Sequence, residues 1–392
     1  MGLISATIAP FVAGYEMHMI SPISFIKNPL LWVELMSKHK VTWSIAPDFG
    51  YRLVARKFLD VKKSAKSGNM CPILGLDLSS IVRLYSGAEP IRHDTIQQFQ
   101  DAFGEYGLPT DWFGATYGLA ENVVYVCSLG QLTLSVYQPS GQSLVSVGRL
   151  DDYVPHGQTM KVVCPYTMRE MSNGEVGELW ISCQSNASGY FGQPELSTNA
   201  FRATLPNEDD KKFYLRTGDL VFVEDGFLYI CGRHKDLVIV NGVNYYPQDI
   251  EYAVQEASQA VRPGCVAAFS SDVDGGGDPD LEVVFEIRNT YAKATDAAEV
   301  VDIVYSAIIQ DVGLVPARVV AIKERSIPKT TSGKIQRNAT RSALHNGSLK
   351  VLHEYKSGQR STNSVVPYQH QKGAKKQSRE YHILVSILLD LC

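Results

Sequence analysis

Hydrophobic and polar positions change period several times along this chain, and each change marks an element. Across Asn28–Lys40 (NPLLWVELMSKHK) apolar residues fall on one helical face behind Pro29, which suits a first helical turn. Val41–Ala46 (VTWSIA) is a short apolar run that reads as a strand, and Pro47–Asp60 returns to the helical period. Ile81–Pro90 predicts a strand ending in a Gly turn, Arg92–Gly107 a helix, and Asp111–Val126 a strand, a loop and a buried continuation. Strands alternating with helices in this way predict βαβ units.

From about Gly157 to Ile230 the pattern shortens to strands and turns, as in SNGEVGELWIS and VEDGFLYI, which predicts an antiparallel portion. After Arg233 a second unit begins. It has strand LVIV, helix PQDIEYAVQEA, strands CVAAF and LEVVFEI, helix DAAEVVDIVYSAIIQDV, strand RVVAI and the loop KERSIPKTTSGKIQR. The expected organisation is a large α/β domain over residues 1–231, a small α+β domain over 232–345, and a polar tail over 346–392. The tail is rich in Ser, Gln and Lys, a composition of disordered linkers.

Composition narrows the classes. The 392 residues carry 37 basic and 41 acidic side chains, and no long block of one charge sign precedes QKGAKKQSR, so nothing predicts nucleic-acid binding. Seven scattered cysteines without a CxxC pair fit reduced thiols in a cytoplasmic setting better than disulfides or zinc. The apolar start MGLISATIAPFVAGYEMHMI lacks a basic leader and is interrupted by Glu16 and His18, which excludes a signal peptide or membrane helix there. A myristoylation pattern fails at Ala6. The closing HILVSILLDLC is too short to span a bilayer and reads as an amphipathic helix or strand.

Several segments carry candidate chemistry. PKTTSGKIQR places Lys329, Lys334 and Arg337 around a Thr-Thr-Ser-Gly turn, suited either to a phosphate or to a solvated basic loop. It is not a Walker A loop, because Pro328 stands at its first Gly and Ile335 at its Ser/Thr. RTGDL puts Asp219 in a tight turn, where the carboxylate either receives paired ribose hydroxyls or only fixes its own turn. GATYGLAE brings Tyr117 and Glu121 to a strand end, where open α/β sheets bind ligands; base stacking and Mg²⁺ compete there with an ordinary core rim. GRHKD suits a hinge or an ion-pair network. GLDLSSIVRL is similar to a phosphopantetheine site, but Leu78 replaces the Ser required after Asp77.

In order and spacing these segments resemble the adenylate-forming superfamily from Met1 to about Ala343, and within it the fatty acyl-AMP ligases. LDLSSIVRLYSGAEPI, YGLAE and GRHKDLVIVNGVNYYPQDIE carry that likeness, the YPQDIE ending most of all. The resemblance implies an adenylate-forming fold and activation of a fatty acid with ATP to acyl-AMP and pyrophosphate. The acceptor would be an acyl carrier protein or CoA. It implies that Asp219 binds the ribose hydroxyls and Arg233 the ribose and phosphate region. Gly87, Ala88 and Glu89 would form the turn against adenine, Tyr117 would stack on the base, and Glu121 would hold Mg²⁺. Lys235 would stand at the hinge, and Lys334 would be the catalytic lysine of the small domain.

Two departures accompany the likeness. The family's Ser/Thr/Gly phosphate loop has no equivalent in this chain, which is therefore expected to be a C-terminal portion of a longer enzyme or a nucleotide-binding chain without catalysis. Only Asn122–Ser146 separates YGLAE from the VGRL segment, so the insertion that hinders CoA transfer in fatty acyl-AMP ligases is expected to be short.

Overall fold

The computed structural model describes residues 3–64, 73–137, 142–150, 157–206, 208, 212–240, 243–271, 279–291, 296–330 and 333–357. The chain divides into two compact units, Met1–Leu237 and Val238–Cys392. Among the described residues no helix is long and apolar enough to cross a membrane.

The first unit contains two sheets. Strands β1 (Trp43–Ala46), β2 (Arg83–Gly87) and β3 (Phe113–Tyr117) run parallel, and β4 (Cys127–Leu129) closes that sheet antiparallel to β3. The connections are the helices Asp48–Ser64 and His93–Phe103, as the alternating periods predict. Each helix buries its apolar stripe: Tyr51, Val54, Ala55 and Phe58 on one, Ile96, Phe99 and Phe103 on the other. Their rings interlock, with Phe58 and Phe103 centroids 4.6 Å apart and Phe99 5.0 Å from Trp112, so aromatic packing fixes where the strands end.

The second sheet is antiparallel and begins earlier than the sequence pattern predicts. It comprises β5 (Leu134–Tyr137), β6 (Gln142–Arg149), β7 (Thr159–Val163), β8 (Gly177–Ser182), β9 (Leu215–Glu224) and β10 (Phe227–Arg233), in the order β5-β6-β10-β9-β8-β7. A helix over Pro194–Phe201, also unforeseen, lies between β8 and β9 in the chain. It buries only Phe201, so it carries almost no apolar stripe to read.

The second unit opens with the ribbon β11 (Val238–Val240) and β12 (Val243–Tyr245), followed by a helix over Pro247–Ala257. Its main sheet is β13 (Val261–Ser270), β14 (Leu281–Ile287), β15 (Arg318–Lys323) and β16 (Val351–Lys356), with β14 and β15 parallel. β14 is buried throughout, as befits a central strand covered on both faces. Leu281, Val283, Phe285 and Ile287 enter one apolar core, and Val284 enters the other. Glu282 and Glu286 therefore share the second face with Val284 and need partners there.

Strand β16 corrects the expectation of a disordered tail from 346. Val351–Lys356 pairs antiparallel with β15, and Arg318 donates to Glu354 from Nε at 3.0 Å and Nη2 at 2.6 Å. The edge strand is only partly covered, so its composition looks like linker although its backbone is in a ladder. The basic QKGAKKQSR patch and HILVSILLDLC lie outside the described residues.

Candidate nucleotide site

At the end of β2, a Cβ on Gly87 would stand 2.3 Å from the Thr116 carbonyl oxygen of β3, so this strand approach admits only glycine. Ala88 then takes a left-handed conformation, φ 69°, which sharpens the turn. Glu89 Oε1 accepts the Phe49 N–H at 2.7 Å, in the first turn of the helix Asp48–Ser64. Its carboxylate thus satisfies one of the helix's orphan donors and ties the turn to the helix start.

β3 delivers Tyr117 and the hairpin β9–β10 delivers Asp219 and Arg233, which lie directly opposite each other in the ladder. The Tyr117 hydroxyl donates to Asp219 Oδ2 at 2.6 Å, and Arg233 Nε donates to Oδ1 at 2.8 Å. Tyr117 is 7% exposed and Asp219 5%, whereas the Arg233 side chain is 62% exposed. Burial pushes the Asp219 carboxyl above its ordinary range, against the pull of Arg233 and the Tyr117 hydroxyl, and the charge of Glu121 pushes it further up. The Tyr117 hydroxyl is raised well above its usual value by burial and by the adjoining Asp219 charge. Each Asp219 oxygen has one partner shown and capacity for another, which is what a vicinal diol requires.

Glu121 follows Tyr117 on a short turn over Ala120–Asn122. Its Oε1 accepts the Tyr190 hydroxyl at 2.9 Å, and its carbonyl accepts the Ala187 N–H at 2.8 Å. Burial and the bond to Glu121 push the Tyr190 hydroxyl up to about 12. Asn122, fully buried, locks the same turn by donating to Asn186 Oδ1 at 2.6 Å while its Oδ1 accepts from Ser185 at 3.1 Å. Tyr190, Asn122 and Asn186 were not foreseen from sequence. The only advance signal was a run of small polar residues, QSNAS, interrupting a strand region.

No group of three ligating side chains suited to a metal occurs among the described residues. Glu121 offers one hard carboxylate, a donor set that fits Mg²⁺ arriving with a nucleotide's phosphates rather than a resident metal. Tyr117, Glu121, Asp219 and Arg233 are thus brought together within one unit, while Gly87 ends the neighbouring strand and Ala88 and Glu89 follow it. Lys235 is exposed, two residues before the point where the units divide. His234 beside it contacts the Tyr166 hydroxyl through Nε2 at 3.2 Å.

Lys334 belongs to the second unit. Its N–H donates to Thr330 Oγ1 at 3.0 Å and its carbonyl accepts the Thr330 N–H at 2.8 Å, forming a tight turn flanked by a Lys329–Ile335 bridge. The three cations noted in this loop are not equivalent. Lys329 donates to Cys265 Sγ at 3.1 Å, and Arg337 grips Glu251 at 2.7 and 2.8 Å, so both brace the loop. Lys334 is exposed and, among the described residues, forms no ion pair or side-chain hydrogen bond.

Comparison with known proteins shows the family of the chain. Residues 1–191 match the AMP-binding enzyme family, and residues 235–354 match the AMP domain of Disco-interacting protein 2-like proteins. TtuA of Teredinibacter turnerae, a medium-chain-fatty-acid–[acyl-carrier-protein] ligase, is 32% identical over 97% of this chain and 60% of its own length. A structure from work on fatty acyl-adenylate ligases of E. coli and L. pneumophila superposes with a TM-score of 0.73 at 26% identity, covering 89% of this chain and 61% of that one. A fatty acyl-adenylate ligase from L. pneumophila, solved with acyl adenylate and pyrophosphate, is 32% identical with a TM-score of 0.55, covering 91% of this chain and 62% of that one. The chain spans about 60% of the length of the curated relatives it matches. It belongs to the AMP-binding, adenylate-forming superfamily and is similar to the fatty acyl-AMP ligases within it.

Proposed function

We propose that this chain carries the nucleotide-handling part of a fatty acyl-AMP ligase. A fatty carboxylate oxygen attacks the α-phosphorus of ATP, the bond to the β-phosphate oxygen breaks, and acyl-AMP and pyrophosphate form. The observation that carries this reading is the convergence on Asp219. Tyr117, Arg233 and the Glu121 charge meet around one buried carboxylate from segments about 100 residues apart in sequence. In this reading Asp219 receives the ribose hydroxyls, the turn over Gly87, Ala88 and Glu89 lies along the adenine, and Tyr117 provides an aromatic wall. Arg233 faces the phosphate side, and Glu121 holds Mg²⁺, which when bound neutralises charge on phosphate oxygens. Lys334, whose ammonium is not spent on internal contacts among the described residues, is suited to the charge developing on the α-phosphoryl oxygens. Lys235 as hinge follows from the family resemblance.

The acceptor is assigned as an acyl carrier protein, supported by the named activity of TtuA. The experiment is pyrophosphate exchange with medium- and long-chain fatty acids, using the full-length gene product. Lys334→Ala should lower exchange ~10² to 10³-fold, the range for loss of one charge-stabilising donor, with the melting temperature unchanged. An unchanged rate removes Lys334 from the chemistry. Thioester formed on CoA but not on a carrier protein would reassign the acceptor. Saturable AMP binding without any exchange would leave only a nucleotide-binding role.

A further inference from the structure

The turn that presents Asp219 is held from the neighbouring strand by a carboxylate that the proposed chemistry does not use. Where β8 pairs with β9, Glu178 lies opposite Leu220 and Trp180 opposite Arg216. Thr217, Gly218 and Asp219 therefore bulge out against Leu179 alone, and on this side β8 has no backbone partner opposite Gly218 and Asp219. Side chains replace it. The Gly218 N–H donates to Glu178 Oε1 at 3.0 Å, and the Asp219 N–H donates to Thr217 Oγ1 at 3.1 Å. The Thr217 hydroxyl in turn donates to the Leu179 carbonyl at 2.8 Å. Gly218 adopts φ +72°, a left-handed conformation that a side chain would strain.

Glu178 is held as firmly as the turn it grips. Its Oε2 accepts from Arg216 Nε at 2.9 Å, Arg216 Nη2 at 2.7 Å and Trp180 Nε1 at 3.1 Å. The side chain is almost wholly buried, and the Arg216 guanidinium lies 5.4 Å from the Trp180 ring centroid. One oxygen is thus fixed by a cation and an indole, which aims the other at the bulge.

We propose that Glu178 is a positioning residue for Asp219, fixing the bulge so that the Asp219 carboxylate faces the ribose diol of the nucleotide. The inference rests on the nucleotide reading of Asp219 given above. It distinguishes Glu178 from a carboxylate that merely stabilises a strand. Glutamine has the same shape but only one acceptor oxygen. The Arg216 charge draws that oxygen, so the amide NH₂ is left facing the Gly218 N–H, donor against donor. Glu178→Gln should therefore loosen the Asp219 turn while leaving the sheet folded.

The test uses the full chain in wild-type form, as Glu178→Gln and as Arg216→Met, titrated with AMP and with 2′,3′-dideoxy-AMP. The readouts are the affinity ratio of the two nucleotides, the hydrogen-exchange protection of the Gly218 amide, and the melting temperature. Wild type should prefer AMP by about tenfold or more, the weight of a charged hydrogen-bonded pair. In Glu178→Gln the preference should fall to within about twofold, through weaker AMP binding and unchanged dideoxy-AMP binding, with Gly218 protection lost. Arg216→Met should shift the ratio the same way by less. A wild-type preference that survives intact in Glu178→Gln overturns the proposal and leaves the nucleotide reading standing. A wild type that binds both nucleotides equally, or neither, overturns the ribose role of Asp219 and the proposal with it. Should Glu178→Gln fail to fold, Arg216→Met decides: an unchanged ratio overturns the proposal.

Discussion

Asp219 in the first unit and Glu286 in the second are both buried carboxylates beside an arginine, yet their ionisation is displaced in opposite directions. Burial pushes both upward. For Glu286 the N–H groups of Ser326 and Ile327, donating to Oε1 at 2.7 and 2.8 Å, and Arg262 Nη1, donating to Oε2 at 2.7 Å, more than offset it, and the carboxyl ends below its usual range. For Asp219, Tyr117 and a mostly exposed Arg233 do not suffice, and the carboxyl ends raised. The fully paired carboxylate anchors a loop; the under-paired one retains acceptor capacity that a ligand can use. In the proposed nucleotide reading, a shortfall of partners at a buried charge separates binding from scaffolding here better than burial does.

The largest effect that could break this contrast is on stability. Glu286→Ala should strip the acceptor from two backbone donors at the base of the Lys334 loop and take from Arg262 its close partner, leaving it Glu324 at 3.9 Å. A loss of about 3 kcal/mol is expected, the range for removing one partner of a buried ion pair. Chemical denaturation of the variant checks it. A cost below about 1 kcal/mol, the level of a surface pair, would mean that Glu286 is not the anchor its geometry indicates.

Much of this was legible in the sequence, and what was not has a physical reason. Strands β1 to β3 and their two helices follow from apolar period because each buries a single stripe or face. Asp219 and Lys334 stood out because a charged residue beside a glycine turn is conspicuous. Glu178 was visible as a carboxylate inside the apolar run GELWIS, but its partners on β9 are fixed by a bulge that leaves no periodic trace. Tyr190 and Glu121 are 69 residues apart, and Asn122 and Asn186 64 apart, so only the fold pairs them. The helix Arg337–His345 buries just Thr340 and Leu344, and β16 is an edge; both lie below what a pattern of apolar positions can reveal.

A smaller effect sharpens the binding side of the comparison. Asp219→Asn removes a charge whose burial is incompletely offset, so stability should change by no more than about 1 kcal/mol. AMP affinity should nevertheless fall roughly tenfold or more, because the ribose hydroxyls lose a charged acceptor. Calorimetric titration and thermal unfolding of the same preparation test both halves. A variant that loses stability and keeps affinity would assign Asp219 to its own turn, the alternative that RTGDL alone left open.

The smallest effect is a divergence of the two carboxylates with pH. Glu286 has its folded value below the ordinary 4.5, so its contribution is complete above 4.5 and is lost as pH falls through the folded value. Asp219 has its folded value above the ordinary 3.8, so the unfolded chain loses that proton first. Its contribution is complete below 3.8 and declines as pH rises through the raised folded value. Acidification from neutral pH should therefore remove stability through Glu286 and restore a little through Asp219. Unfolding free energies measured from pH 7 downward on wild type, Glu286→Gln and Asp219→Asn separate the two. Glu286→Gln should flatten the acid loss, and Asp219→Asn should steepen the net fall because the compensating gain is gone. Curves for Asp219→Asn that run parallel to wild type would show that burial does not raise this carboxyl, and the distinction between the under-paired and the fully paired group would then rest on hydrogen-bond counts alone.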